Sequence, residues 1–440
     1  MKFIDTLKNI YKIEELRKRI LFTLGLLLIY RLGSFVTLPG VDHEALSNMT
    51  QSFNDGSLLG LLNVFSGGAF SQASIFALGV MPYITASIII QLLGIMVPYF
   101  RKMQREGESG RRKMNQWTRF LTIVVLLLQA PAYLTTQVMN WAADTNGDGV
   151  LESVITNNDS FLGIPGGMFI VPAVIVLIAG TMFIMWLGEK ITDRGIGNGV
   201  SLIIMIGIVA RLPQALWGEA ISSNIILFIV ELIFLALVFM LAIAIVQAVR
   251  RIPVQYAKRI VGNKQYGGVR QYIPLKLNAA NVMPIIFAQA LMFIPGLLSD
   301  NPTWTMIDGF WYNFALVVMV IAFTYFYTAI IVNPQMMADD MKRNGGFIPG
   351  VKPGKSTVKY IDDVMTRITL PGSMFLALIT VLPAIAMTLG ISQGFAYFFG
   401  GTSLLIMVGV VLDTLKQIES YLLMRHYDGL MKTGRIQGRY

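Results

Sequence analysis

The chain offers few residues whose types and spacing could do chemistry. It has no cysteine, which excludes thiolate nucleophiles, disulfides and cysteine-ligated metals. Its two histidines, His43 and His426, both lie outside the apolar runs, leaving no histidine base or histidine metal cluster at membrane depth. The apolar interior is nearly free of ionisable residues, with Glu231 a third of the way into its run, Asp413 late in the last and Arg31 near an outer end. No two carboxylates share a helix face there, and no Ser/His, Ser/Lys or paired-Asp arrangement occurs. Enzyme catalysis has little support, and coupled transport of small solutes normally leaves its ionisable residues in the spans. Two other kinds of residue remain. Thr85, Ser87, Gln91, Gln129, Asn198, Asn281 and Gln289 are polar but uncharged positions within apolar runs. They fit ordinary interhelical hydrogen bonds as well as a wettable seam between helices that can part. Residues 250–276 carry Arg250, Arg251, Lys258, Arg259, Lys264, Arg270 and Lys276 with no acid, and the PGVKPGK stretch adds Lys352 and Lys355. Fixing orientation in a membrane needs only a few charges per loop. An acid-free run of seven also suits an anionic partner: RNA phosphates, an acidic protein face or lipid headgroups.

The elements that must position these residues are membrane helices. Of 440 residues, 55% are hydrophobic and 14% charged, with a mean hydropathy of +0.62; a soluble domain carries about a quarter charged residues. Apolar segments fall at about 20–38, 72–99, 117–138, 166–187, 197–214, 223–248, 282–298, 310–335, 368–390 and 398–424. A bilayer core takes about 20 apolar helical residues to cross, so the expectation is ten spans. The basic residues orient them. Six alternate segments hold 32 of the 35 lysines and arginines, and basic residues accumulate on the cytoplasmic side. Both termini are therefore expected in the cytoplasm, with a retained first helix and no cleaved signal peptide. Only Arg31 and Arg211 lie toward the outside, where acids such as Asp42, Glu44, Asp55 and Glu219 collect.

Ten spans divide into two sets of five, and an odd number per half turns the halves opposite ways up. Such inverted repeats place a functional path at their interface near mid-membrane. The expected domains are a cytoplasmic amphipathic N-terminus (1–19), an N-terminal half (20–214), a C-terminal half (215–424) and a cytoplasmic tail (425–440). Two stretches are irregular. Residues 57–70, SLLGLLNVFSGGAF, are apolar yet too short to cross. Non-helical backbone at membrane depth survives only inside protein or beside a water-filled cavity, so a re-entrant segment fits, and so does a buried surface turn. The DTNGDG stretch at 144–149 starts like a calcium loop but has Ile155 at its twelfth position, where a bidentate Glu is needed; it reads as an exposed turn.

Seven ordered motifs carry a resemblance. FSGGAFSQASIFALGVMPYITASIIIQLL at 65–93, GESGRRK at 107–113, LGEKITDRGIGNGVSL at 187–202 and VQYAKR at 254–259 are followed by IPLKLN at 273–278, NPQMMADDMKRNGGFIPGVKPGK at 333–355 and GGTSLLI at 400–406. Together they resemble the SecY family of protein-conducting channel subunits over nearly the whole chain. The resemblance implies an all-α membrane protein, with ten transmembrane helices in two inverted five-helix halves around a central hourglass pore. It implies a pore ring of Val80, Ile84, Val200, Ile204, Ile286 and Ile406, and a plug at 57–70 that includes Leu61, Leu62, Val64, Phe65, Gly67 and Gly68. It places a lateral gate between the second and third helices and the seventh and eighth, with Thr85, Ser87, Gln129 and Gln289 as seam residues. It makes Arg250, Arg251, Lys258, Arg259, Lys352 and Lys355 the docking site for the ribosome and the SecA motor; Lys352 stands where the family commonly has arginine. It implies SecE and SecG as small subunits, secretory preproteins and nascent chains as clients, the bacterial cytoplasmic membrane as location, and no cofactor. The alternative from another class is an inverted-repeat secondary transporter.

Overall fold

The structure is a computed structural model that describes residues 13–41, 63–138, 142–143, 152–153, 167–256, 259–261, 264–266, 270–280, 282–298 and 309–433. In chain order its helices are α1 (Glu14–Gly33), α2 (Met81–Met96), α3 (Pro98–Arg105), α4 (Glu108–Tyr133), α5 (Gly167–Arg194), α6 (Gly199–Ser222) and α7 (Ile225–Gln247). They continue as α8 (Met283–Leu298), α9 (Phe310–Ile331), α10 (Pro334–Arg343), α11 (Lys355–Thr388), α12 (Gln393–Ala396) and α13 (Gly401–Thr433). The strands are β1 (Ala142–Ala143), β2 (Glu152–Ser153), β3 (Val249–Tyr256), β4 (Arg259–Val261), β5 (Lys264–Tyr266), β6 (Arg270–Lys276) and β7 (Gly346–Phe347). By contacts the chain forms two compact units: Met1–Asp55, Leu59–Gln214 and Val410–Tyr440 in one, Gly56–Leu58 and Ala215–Gly409 in the other.

Helices dominate because, in lipid, a helix satisfies its own backbone polar groups. Among the described residues six stretches are long and apolar enough to cross a membrane: α5, α6, α7, α9 together with α10, α11 and α13. α2 and α3 make a seventh if taken as one span, although they bend by 100° at their junction, where Pro98 removes a backbone donor. The ten expected spans are thus six or seven by this measure. α8 has 16 residues, and α1 and α4 each carry several charges. The threonines in these helices are mostly satisfied locally. Thr122, Thr324, Thr369, Thr380 and Thr414 each donate to the carbonyl four residues earlier at 2.6–2.8 Å.

Two expectations need correction. The span at 72–99 starts too early, because the chain runs through turns up to Val80 and α2 begins only at Met81. The amide of Leu38 donates to Ala73 at 2.8 Å and that of Ile75 to Val36 at 2.9 Å. These bonds flank an antiparallel bridge between Thr37 and Ser74 and tie residues 73–75 to the stretch that follows α1. The second concerns a detail of the all-α class: the chain is mostly helical, but the basic loop at 250–276 is built from strands. β3 pairs antiparallel with β6 through seven residues, from Val249 opposite Lys276 to Gln255 opposite Arg270, and with β7 at Gln255 and Tyr256. Ile252, Val254 and Leu275 project onto Met341, Ile348, Ile361 and Met365, so the strands share a core with α10 and the first turns of α11. α10 starts at Asn333, whose side-chain oxygen accepts from the amides of Gln335 and Met336, with Pro334 at the first position where no donor is needed.

Candidate functional site

Residues 63–80, which lead into α2, are mostly buried and, after one short helical turn, not helical. Leu61 and Leu62 lie outside the described residues. Asn63–Phe65 make one helical turn, with Val64 buried and Phe65 half-buried. Gly67 and Gly68, at φ +66° and +96°, then reverse the chain. Buried backbone groups need partners, and the first unit supplies them. Asn63 Oδ1 accepts from the Ser71 amide at 3.2 Å and Ser66 Oγ from the Phe70 amide at 3.0 Å. The Tyr133 hydroxyl of α4 donates to the Phe70 carbonyl at 2.7 Å. Arg31 Nη1 of α1 donates to the Gly67 carbonyl at 2.7 Å, and Arg211 Nη2 of α6 to Ser71 Oγ at 3.2 Å. Gly207 of α6 lies directly beneath, because a Cβ on Gly67 would come within 2.8 Å of its Cα. A cluster of Leu38, Phe70, Ala73, Ala77, Ala130, Tyr133, Phe169 and Leu177 closes around the segment.

Val80 caps α2 and is buried, and its carbonyl accepts from the amide of half-buried Ile84 at 3.1 Å. One helical turn separates the two, so both face one way. Val200 and Ile204 stand in the same relation on α6, both half-buried, and a Cβ on Gly188 of α5 would touch Val200. In the second unit Ile286 on α8 is half-buried and Ile406 on α13 is buried. The structure therefore brings the six aliphatics together within each helix as pairs or singly.

The polar candidates separate by environment. Thr85 donates to the Met81 carbonyl of its own helix at 3.1 Å, which uses its one proton locally. Ser87 is half-buried and Gln129 is exposed on α4. Gln289 is buried, and its Oε1 accepts from Thr402 Oγ1 at 3.2 Å, joining α8 to α13. Asp413 is exposed in the first half of α13. Glu231 is buried in α7, and neither of its oxygens has a hydrogen-bond partner among the described residues.

Two of the basic candidates lie on the three-stranded sheet. Arg250 and Arg251 are exposed at the start of β3, and Tyr272 is exposed on β6 beside them, opposite Pro253. Arg259 lies in β4, and Lys258 lies outside the described residues. Lys352 and Lys355 are exposed where the chain enters α11; the Lys352 carbonyl accepts from the Thr357 hydroxyl at 3.0 Å. Lys355 occupies the first position of α11. A cation there is repelled by the positive end of the helix dipole, and together they attract an anion.

Sequence reasoning missed Arg31, Tyr133 and Arg211. Its only signal for the arginines was that both fall on the acidic side of the charge pattern.

The chain matches the family model described as SecY over residues 74–415. It is 43% identical over 444 residues to the protein translocase subunit SecY of Streptomyces scabiei, covering 96% of this chain and 98% of that one. The protein of the same name from Thermus thermophilus is 43% identical over 457 residues, covering 97% and 98%. Among solved structures it is similar to a protein-conducting channel, with a TM-score of 0.59, 16% identity and 91% of both chains covered. Sec61 in the canine ribosome–channel complex gives a TM-score of 0.56 at 15% identity, again covering 91% of both.

Proposed function

This chain belongs to the SecY family, and we propose that it is the channel subunit of a protein translocase, passing unfolded polypeptides across a bacterial cytoplasmic membrane and releasing apolar helices into it. The observation that carries this reading is the apolar, largely non-helical segment at 63–80, buried against α1, α4 and α6, an arrangement that lets irregular backbone persist at membrane depth. In this reading α1, α4 and α8 span the membrane alongside the seven apolar stretches. The ten spans form two inverted halves, both termini in the cytoplasm. The segment 57–70 is the plug. Val80, Ile84, Val200, Ile204, Ile286 and Ile406 form the waist of an hourglass pore. An apolar waist dewets and so excludes ions, and it offers a sliding chain no fixed hydrogen-bond partner.

The lateral gate opens between α2 and α4 on one side and α8 and α9 on the other. The paired Gln289 and Thr402, with Thr85, Ser87 and Gln129, are its polar residues. Through it a leucine-like residue enters lipid at roughly −0.5 kcal/mol, whereas a central charge costs about +3. Arg250, Arg251, Lys258, Arg259, Lys352 and Lys355 form the cytoplasmic docking face for the ribosome and for the SecA motor, and SecE and SecG complete the complex. Lys352 delivers a point charge where arginine would make planar, bidentate contacts. A small-solute transporter is the weaker reading, since the relatives carry the name protein translocase subunit. Planar-bilayer recording tests the waist. Ile84→Ser with Ile204→Ser should produce an ion leak in the resting complex; an intact seal would remove the six aliphatics from that role.

A further inference from the structure

Arg31 and Arg211 stand 180 positions apart in sequence and on the acidic side of the charge pattern, yet they meet on the same turn. Arg31 reaches the Gly67 carbonyl, with Ser34 Oγ at 3.4 Å and its guanidinium carbon 4.7 Å from the centre of the Phe35 ring. Arg211 reaches Ser71 Oγ, and a Cβ on Gly68 would come within 2.9 Å of its Nη2. Neither arginine has a carboxylate partner among the described residues. Both guanidinium groups crowd adjacent residues of the turn, since Cβ atoms on Gly67 and Gly68 would come within 3.0 Å and 2.9 Å of them, and like charges held side by side repel. Two cations with no carboxylate among the described residues to offset them are costly to hold together. Their attractive contacts with the segment are an oriented carbonyl and a hydroxyl, both on the turn itself.

We propose that Arg31 and Arg211 form a two-point latch that holds the Gly67–Ser71 turn in its seat, so that unseating requires both guanidinium contacts to break. The inference rests on the reading of residues 57–70 as a plug. Each contact is charge-assisted, the stronger class of hydrogen bond, but exchange with water leaves only part of that strength as net gain. Once the turn leaves, mutual repulsion drives the two side chains apart, which slows its return. The arginines are positioning residues: their role is to set how readily the path opens, and they need not touch the client.

The absence of cysteine makes the test clean. Ala69 is fully buried within the turn, and Ala242 is fully buried in α7, outside the cluster that closes around the segment. Each is replaced by cysteine in turn, in the assembled complex in membranes, and its labelling rate with a membrane-impermeant maleimide is measured. With Arg31→Gln and Arg211→Gln together, Ala69→Cys should label roughly tenfold faster or more, while Ala242→Cys keeps its parent rate. Arg31→Lys, which keeps one donor for the Gly67 carbonyl, should fall between. An unchanged rate at Ala69→Cys overturns the latch. A rise at both sites overturns it too, because it shows general loosening rather than release of one turn. The same complexes are assayed for precursor translocation. A complex that still translocates but shows no change at Ala69→Cys sinks the latch and leaves the channel reading intact, whereas loss of translocation by the parent sinks the channel reading itself.

Discussion

Replacing Gly67 with alanine should unseat the turn between α1 and α2, and the structure gives the size of the effect. Gly67 sits at φ +66°, where an L side chain costs about 1–2 kcal/mol. Its new Cβ would lie 2.8 Å from the Gly207 Cα and 3.0 Å from Arg31 Nη1. The first of these is backbone and cannot swing aside, and overpacking of this kind costs about 1–3 kcal/mol. The total is about 2–5 kcal/mol, which at about 1.4 kcal/mol per tenfold shifts the seated–unseated equilibrium by roughly 30-fold or more. Two other glycines separate the causes. Gly79→Ala carries the strain alone, since φ is +54° and the nearest atoms lie 4.0 Å away. Gly207→Ala carries the clash alone, its Cβ falling 2.7 Å from the Phe65 carbonyl oxygen, partly offset by about 1 kcal/mol of helix propensity. Open probability of the resting complex in a planar bilayer should rise most for Gly67→Ala and less for Gly207→Ala. Gly79→Ala lies outside the seat and should leave it near the parent value. A Gly67→Ala complex that seals as tightly as the parent would refute the placement of the turn against α6.

The other predictions concern the seat and the sheet. Tyr133→Phe removes the only side-chain donor to the buried Phe70 carbonyl among the described residues and should cost about 1–3 kcal/mol, read as a lower thermal midpoint of the purified complex; an unchanged midpoint would mean that water replaces the hydroxyl. Arg250→Glu with Arg251→Glu should weaken motor or ribosome binding roughly tenfold at low salt. The difference should shrink as screening shortens from about 10 Å at 0.1 M to about 3 Å at 1 M, and equal binding at every salt concentration would clear both residues.

Legibility in the sequence followed how local the cause of each element was. α7 is read almost to the residue, at 223–248 against Ile225–Gln247, because an unbroken apolar run needs nothing from elsewhere to become helical in lipid. The start of α2 was misplaced because IFALGV at 75–80 is apolar enough for a helix. Bonds from Leu38 and to Val36 decide otherwise, and those partners lie some 35 residues away. The strands had a visible period of two in Ile252 and Val254 and in Ile273 and Leu275, but Pro253 and Pro274 argue against strands locally. They are tolerated because β7 reaches only Gln255 and Tyr256, leaving the other edge of β3 open at Pro253. The exposed Arg250 and Arg251 of β3 stood out in the sequence by charge alone. The seat around Gly67 was not, since Arg31, Tyr133, Gly207 and Arg211 come from three helices and share no spacing.

Translocation in a defined system tests the central claim most directly. The purified complex is reconstituted into sealed vesicles and supplied with its motor, ATP and an unfolded secretory precursor, and the precursor is then challenged with external protease. The account predicts a protected, full-length precursor inside the vesicles, dependent on ATP and abolished when Arg250 and Arg251 are reversed in charge. Precursor that stays fully accessible to protease with every component present would contradict it.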